Sequence, residues 1–232
     1  MAVTFIAEIG LNHNGNFGLI PELIRQAAES GADIAKFQLG WRDGVGEINR
    51  LGETELDLVV KHCNYYGIEP MFSIISEDAF SLIKSFGYEF ARYKIASRTV
   101  VENPKLAEEI LKEGKDTFLS LGFWTHSDMP FVEYDNLTYL FCISKYPCLP
   151  HDIDGFPKNF SASPYDGYSD HTLGIEAVLL AIARGATVIE KHFTLDKSDK
   201  TIRDHALSAT PQEFGDMVKY ARAIERLVSL GI

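Results

Sequence analysis

Eight short apolar segments alternate with amphipathic ones along this chain, and few folds accept that pattern. The apolar segments are Val3–Ile9, Ile34–Gln38, Pro70–Ile74, Ala91–Ala96, Thr117–Leu121, Thr138–Ile143, Asp166–Ser169 and Thr187–Lys191. Most are unbroken apolar runs, not in–out alternations, which suits parallel strands covered on both faces. Between them, Leu19–Ser30, Thr54–Tyr66, Ser76–Phe86, Pro104–Glu113, His126–Tyr134 and Leu173–Arg184 read as helices, and Pro211–Leu230 as a last one. Gly31, Gly67, Gly87, Gly114 and Gly185 stand where helices would need a left-handed terminus before the next strand. Eight strands with intervening helices in 232 residues predict an α/β fold, a (β/α)8 TIM barrel forming a single domain over residues 1–232. An open doubly wound sheet is the alternative, but no Gly-rich dinucleotide loop follows the first strand. The segment Lys145–Tyr165 is rich in proline and has room for a short helix at most.

Composition narrows the function classes. The net charge of −11 argues against nucleic acid or an anionic membrane as a general partner. It also makes the place of each lysine informative, because an acidic chain that handles an anion must gather its positive charge locally. No apolar run is long enough for a membrane helix, and the opening MAVTFIAEIG has no basic region and carries Glu8, unlike a signal peptide. Cys63, Cys142 and Cys148 are odd in number and lack metal-ligand spacing, so reduced thiols in a cytoplasmic protein are expected.

In a barrel the chemistry sits at the carboxyl ends of the strands. Those ends gather Glu8, Asn12, His13 and Asn14 after strand 1 and Lys36 and Gln38 on strand 2. Lys94 and Ser97 follow on strand 4, Ser120 on strand 5, and Ser144, Lys145 and Tyr146 on strand 6. Strand 7 ends in Ser169, Asp170 and His171, and strand 8 in Glu190, Lys191 and His192. Imidazoles on adjacent strand tips can share a divalent cation, with water, carboxylate or substrate completing its shell. A lone strand-end histidine is more often a hydrogen-bonded structural residue, but two on adjacent strands, beside Asp170 and Glu190, favour the metal reading. His13 is a capping or a functional residue of an Asn/Gly turn; His62, His126, His151 and His205 read as surface or loop residues. Lys36, Lys94 and Lys191 interrupt apolar strands, and lysine is rarely buried alone. Three at one barrel mouth suggest an anionic substrate, although a core salt bridge to Glu8 or Glu190, or a Schiff-base role, would also account for one of them.

The segments IAEIGLNHNGN, GADIAKFQ, YKIAS, SDHTLGIEAVLLAIARGATVIEKHFTLDK and DHALSATPQEF together resemble the sialic acid (nonulosonate) synthase family. The likeness extends from Phe5 to about Arg226. It implies condensation of phosphoenolpyruvate with an N-acyl hexosamine on a TIM barrel that uses Mn²⁺ or Mg²⁺. His171 and His192 match the family's metal-binding histidines, and Glu8 a carboxylate near the reacting carbons. Lys36, Lys94, Ser97, Ser120 and Ser169 match residues that hold phosphoenolpyruvate. Tyr146 matches the tyrosine of a strand-6 YP pair, and Asp204 an acid that contacts sugar hydroxyls. Ser144, beside Tyr146, joins the substrate-binding candidates.

The chain also departs from the family. Ile74 stands in place of a substrate-binding threonine, Leu121 changes STG to SLG, and Arg98 and Thr99 replace glycine and an acidic residue. Family members continue into an antifreeze-like domain that supplies an arginine to the partner's sugar site. This sequence carries the barrel alone, so either a separate capping-domain protein supplies that part or the site works without it; the family's usual dimer loses its main reason, and a monomer or a homodimer of another kind is expected. Arg98 could take the place of that arginine or be spent on a surface salt bridge. A Schiff-base aldolase or lyase using Lys94 or Lys191, a barrel that binds a sugar or partner without turnover, and a synthase of shorter sugar acids are the rival readings.

Overall fold

The computed structural model describes residues 2–41 and 44–230. The eight apolar segments close into a barrel of parallel strands in sequence order. They are β1 (Thr4–Gly10), β2 (Ile34–Leu39), β3 (Glu69–Ile74), β4 (Arg92–Ile95), β5 (Asp116–Ser120), β6 (Leu137–Cys142), β7 (Gly167–Asp170) and β8 (Val188–His192). Each lies within one residue of the segment read from the sequence. The ring closes between β1 and β8, with Ile6 beside Glu190 and Glu8 beside His192.

Helices α1 (Ile20–Glu29), α2 (Glu53–Tyr66), α3 (Glu77–Ser85), α4 (Ser97–Glu102), α5 (Pro104–Leu111), α6 (Glu176–Ala183) and α7 (Pro211–Ser229) cover the outside. The five glycines expected at helix ends all have positive φ. Gly67, at φ 69°, sends its N–H back to the Cys63 carbonyl and so ends α2. Two helix expectations fail for local reasons. The segment His126–Tyr134 forms turns, because Pro130 lacks an N–H and Phe131 sits at φ 60°. The α6 helix starts at Glu176, not Leu173, after Gly174 at φ 74°. Helix α4 went unread because its six residues include Thr99, Val100 and Val101, a β-branched run that favours strand.

Strand side chains alternate between the barrel interior and the helix layer. Phe5, Ala7, Ile9, Phe37, Phe72, Leu119 and Ile189 belong to the large outer core between sheet and helices. A second, separate cluster of Ile6, Ile34, Met71, Phe118, Leu140 and Val188 plugs the barrel. It is tight at β7: a Cβ on Gly167 would lie 2.2 Å from the Val188 carbonyl oxygen and 2.7 Å from its Cβ. Above this plug the next inward positions are polar, Glu8 above Ile6, Lys36 above Ile34, Ser120 above Phe118, Cys142 above Leu140 and Glu190 above Val188.

The same alternation corrects one expectation. Lys191 does not join Lys36 and Lys94 at the mouth. It points outward with Asp170, and the two form a fully buried ion pair at 2.7 Å. Lys191 also donates to the Thr172 carbonyl, while Asp170 accepts from the Tyr168 hydroxyl and the Thr172 N–H. Removing one member of such a pair strands a buried charge, whereas removing both charges is far milder. Lys191→Met is therefore expected to cost about 3 kcal/mol in urea unfolding, and the double change Lys191→Met with Asp170→Asn to recover part of it. A loss below about 1 kcal/mol for the single change would contradict this role.

Candidate active site

The inward polar positions and the loops above them enclose a cavity of about 200 Å³. Every residue matched to the family's site, and Ser144 with them, lines it, whereas Asn12, His13, Asn14, Lys145, Asp170 and Lys191 do not. Glu8, Lys36 and Lys94 form the floor with Ser120, Ser169 and Glu190, while His171, His192, Ser97 and Ser144 stand higher on the strands and their exits. Tyr146 and Asp204 approach from the loops after β6 and β8.

Three groupings make up the site. In the first, the Lys36 ammonium pairs with a Glu8 oxygen and lies 3.5 Å from Glu190. Gln38 donates to the other Glu8 oxygen at 2.9 Å, and the Ser169 hydroxyl donates to Glu190 at 2.7 Å. The backbone supports this packing at Gly10: φ is 56°, and a Cβ there would sit 3.0 Å from Glu8 Oε1. The two carboxylates are driven apart. Burial raises the Glu8 pKa against the pull of Lys36, with the Glu190 charge adding to the rise. Burial acts on Glu190 too, but Lys36, Lys94 and the Ser169 hydroxyl outweigh it and hold that carboxyl down at about 2. Burial opposes the charge on Lys36 as well, and Glu190 and Glu8 more than offset it, so its pKa is raised. Two carboxyls with separated pKa values are the usual mark of divided acid and base roles.

In the second grouping the Lys94 ammonium donates to the Ser120 hydroxyl at 2.8 Å and to the Ile95 carbonyl at 3.1 Å. Burial lowers its pKa. The Ser97 and Ser144 hydroxyls lie 2.9 Å apart nearby. A cation among hydroxyls is a cradle for an oxyanion.

In the third, the His171 and His192 rings lie 5.3 Å apart, and Tyr146 stacks on His171 at 4.2 Å. His171 Nδ1 is 2.8 Å from the Ile143 carbonyl. The carbonyl can only accept, so Nδ1 carries the proton and Nε2 keeps a lone pair. Burial lowers the His192 pKa, and its Nδ1 is buried with no partner. Two oriented imidazoles, one with an orphaned nitrogen, suit a divalent cation as donors. Among the described residues, no three His, Cys, Asp or Glu side chains close around a point as a complete ligand set. A cation held here would thus draw its remaining ligands from water or substrate.

The rim holds residues that the strand-end reading passed over. Arg203 lies over the Tyr146 ring at 4.1 Å and pairs with Asp204 at 3.2 Å. Trp41 and Phe123 also line the cavity, and both rings pack near the Arg98 guanidinium. Arg98 does make the surface salt bridge considered for it, to Glu102 at 2.8 Å, and lines the cavity as well. The only signal for Arg203 was its place directly before Asp204. Two departures from the family pattern fall outside the cavity: Ile74 and Leu121 pack in the outer core, and Ile75 does the lining.

One histidine differs from expectation, and another takes the capping one of its two readings. His205 is no surface residue: its Nδ1 meets the Thr194 hydroxyl at 2.6 Å and its Nε2 the Asn14 side chain at 2.8 Å, tying the β1 and β8 exits together. His13 is fully buried and accepts from the Gly15 N–H at 3.2 Å, so it caps its turn and does not reach the cavity.

Comparison with known proteins bears on these groupings. The NeuB family model matches residues 44–232. The N,N'-diacetyllegionaminic acid synthase of Campylobacter jejuni is 32% identical over 98% of this chain and 78% of its own. The human N-acetylneuraminate-9-phosphate synthase is 31% identical over 95% of this chain and 70% of its own. A crystal structure of the N-acetylneuraminic acid synthetase from Leptospira borgpetersenii, in complex with citrate, superposes with a TM-score of 0.88 at 29% identity, covering 98% of this chain and 85% of that one.

The buried His13 supplies a stability test. Burial lowers its pKa from 6.5 to about 4. The unfolded chain therefore binds the proton more tightly between those values, and stability present above pH 6.5 is lost as pH falls toward 4. Denaturant titrations should show a decline of roughly 3 kcal/mol over that window from this residue, and His13→Asn should flatten it. An unchanged acid limb in that variant would contradict a neutral, buried His13.

Proposed function

This chain belongs to the NeuB family, and on that premise we propose that it condenses phosphoenolpyruvate with an N-acyl hexosamine, giving a nonulosonic acid and phosphate. The observation that carries the reading is the division of one cavity into an oxyanion cradle at Lys94 and Ser120 and a pair of imidazoles at His171 and His192. The cradle suits the phosphate ester of one substrate, and the imidazoles the carbonyl end of the other.

His171 and His192 would hold a divalent metal, Mn²⁺ or Mg²⁺, which when bound supplies Lewis-acid polarisation of the acceptor carbonyl. The residues themselves position and move protons. Lys94 with Ser97 and Ser120 fixes the donor so that its C3 faces the aldehyde carbon, and much of the rate gain is that orientation. As the C3–C1 bond forms, the aldehyde oxygen needs a proton; Glu8, the carboxyl with the raised pKa and the strand neighbour of His192, gives it. The donor C2 is then electron-poor. Glu8, now ionised, takes one proton from the water that adds there; the C2 hydroxyl then becomes the keto group as the C–O bond to phosphate breaks, its proton leaving with the phosphate. Glu190 stays ionised and keeps Lys36 charged beside Glu8. Asp204 and Tyr146 line the same cavity and would meet the sugar's hydroxyls and acyl arm.

Among the described residues, four cations (Lys36, Lys94, Arg98 and Arg203) and three carboxylates (Glu8, Glu190 and Asp204) line the cavity. That is a small surplus for a donor with both a phosphate and a carboxylate, and a divalent cation would enlarge it. Phosphate release from phosphoenolpyruvate should accordingly require Mn²⁺ or Mg²⁺, stop with EDTA, and depend on one member of a panel of N-acyl hexosamines and their 6-phosphates. No sugar-dependent release with any metal would overturn the synthase reading. His171→Ala should lose metal binding and at least about a hundredfold in kcat, and Glu8→Gln about 10²–10⁴-fold in kcat with little change in KM. Near-native turnover in either variant would remove the role given to that residue.

A Schiff-base enzyme is favoured by one observation only, the lowered pKa of Lys94. Borohydride treatment with pyruvate separates the two, since the metal-dependent route leaves no adduct on Lys94. Lys191 cannot serve, being locked in its buried pair outside the barrel.

A further inference from the structure

Of the cations around the cavity, Arg98 is held in an arrangement that the chemistry above does not use. It follows Ser97 at the exit of β4. Its guanidinium carbon lies 5.1 Å from the Trp41 ring and 5.5 Å from the Phe123 ring, two side chains that arrive from the exits of β2 and β5. Glu102, one helical turn on, takes Nη1 at 2.8 Å. The two rings and the one carboxylate restrain a side chain that would otherwise be among the most mobile at the surface. Among the described residues, Nε and Nη2 have no other partner, and Arg98 is part of the cavity wall.

The charges deeper in the cavity say what such a group is for. Lys36 is matched by Glu8 and Glu190. That leaves Lys94 as the one floor ammonium paired only with a hydroxyl and a carbonyl. A donor with a phosphate and a carboxylate presents two anionic groups, and Lys94 can answer one of them. Arg98 stands on the same side of the mouth, next in the chain to Ser97, and a guanidinium offers the planar pair of N–H groups that either oxyanion accepts in bidentate fashion.

We propose that Arg98, packed against Trp41 and Phe123, is a second anion-binding residue for the enolpyruvate donor, taking the anionic group that Lys94 does not hold. The proposal rests on the donor assignment made above and adds a residue to it. It places Arg98 on the donor side, not in the sugar-side role of an arginine from another domain.

Calorimetric titration of phosphoenolpyruvate into the Mn²⁺-loaded protein tests it without turnover. Arg98→Gln should weaken donor binding about ten- to a hundredfold, the range for loss of one or two charge-assisted hydrogen bonds. Arg98→Lys should recover part of that loss, because charge returns without the planar fork. Inorganic phosphate weakened by the same factor would assign Arg98 to the phosphate group, and pyruvate so weakened to the carboxylate. In steady state the donor KM should rise while the acceptor KM stays within twofold. Donor affinity in Arg98→Gln within twofold of native overturns the role of Arg98 and leaves the donor assignment standing. Native protein that binds no phosphoenolpyruvate overturns the donor assignment and Arg98's role with it.

Discussion

The site turns on a single buried ammonium. Lys36 lies between two carboxylates in the floor of the barrel, and each of the three would be costly there without the others. Desolvation opposes ionisation of all three, but its effect differs with surroundings. Glu190 has two lysines and a serine hydroxyl to offset it. Glu8 has one lysine and a glutamine, and feels Glu190 as a like charge. The geometry of three neighbouring strands, β8, β1 and β2, therefore holds Glu190 as a stable anion and leaves Glu8 as the carboxyl that ionises less readily.

Strand periodicity delivers these groups. On a barrel strand every second side chain faces inward, so an apolar plug below and a polar layer above need only a change of residue type two positions along. Ile6 to Glu8, Ile34 to Lys36, Phe118 to Ser120 and Val188 to Glu190 each make that change. The plug keeps water from the floor, which strengthens the electrostatics above it. Gly167 shows how closely it is filled, since even a methyl there would collide with β8. The outer core, with Phe5, Phe37 and Phe72, fixes the strands from the other side, so the polar layer sits on a floor packed from both faces.

Much of this was legible in the sequence. The barrel followed from eight apolar runs and their glycine punctuation, and the motif likeness, with Ser144 from the end of the sixth strand, pointed to residues that all line the cavity. What stayed hidden depends on parity and on loops. Asp170 and Lys191 sit in the same motifs as His171 and His192, but one position earlier, and one position turns a strand residue to the opposite face. His205 looked like a loop residue because its partners, Thr194 and Asn14, are brought to it only by barrel closure. Trp41, Phe123 and Arg203 lie beyond the strand ends, where no period marks which side chains turn back over the mouth. The segment His126–Tyr134 has helical composition but contains Pro130, whose backbone chemistry overrides it.

The division of labour between Glu8 and Glu190 is most directly measured by carbon NMR on protein labelled at the glutamate side-chain carboxyls, titrated with pH and assigned through Glu8→Gln and Glu190→Gln. The expected result is one buried carboxyl, lost in Glu8→Gln, that titrates above the ordinary value of 4.5, and another, lost in Glu190→Gln, that remains ionised down to about 2. Two buried carboxyls that both titrate at or below 4.5 would contradict the assignment of Glu8 as the proton-exchanging group.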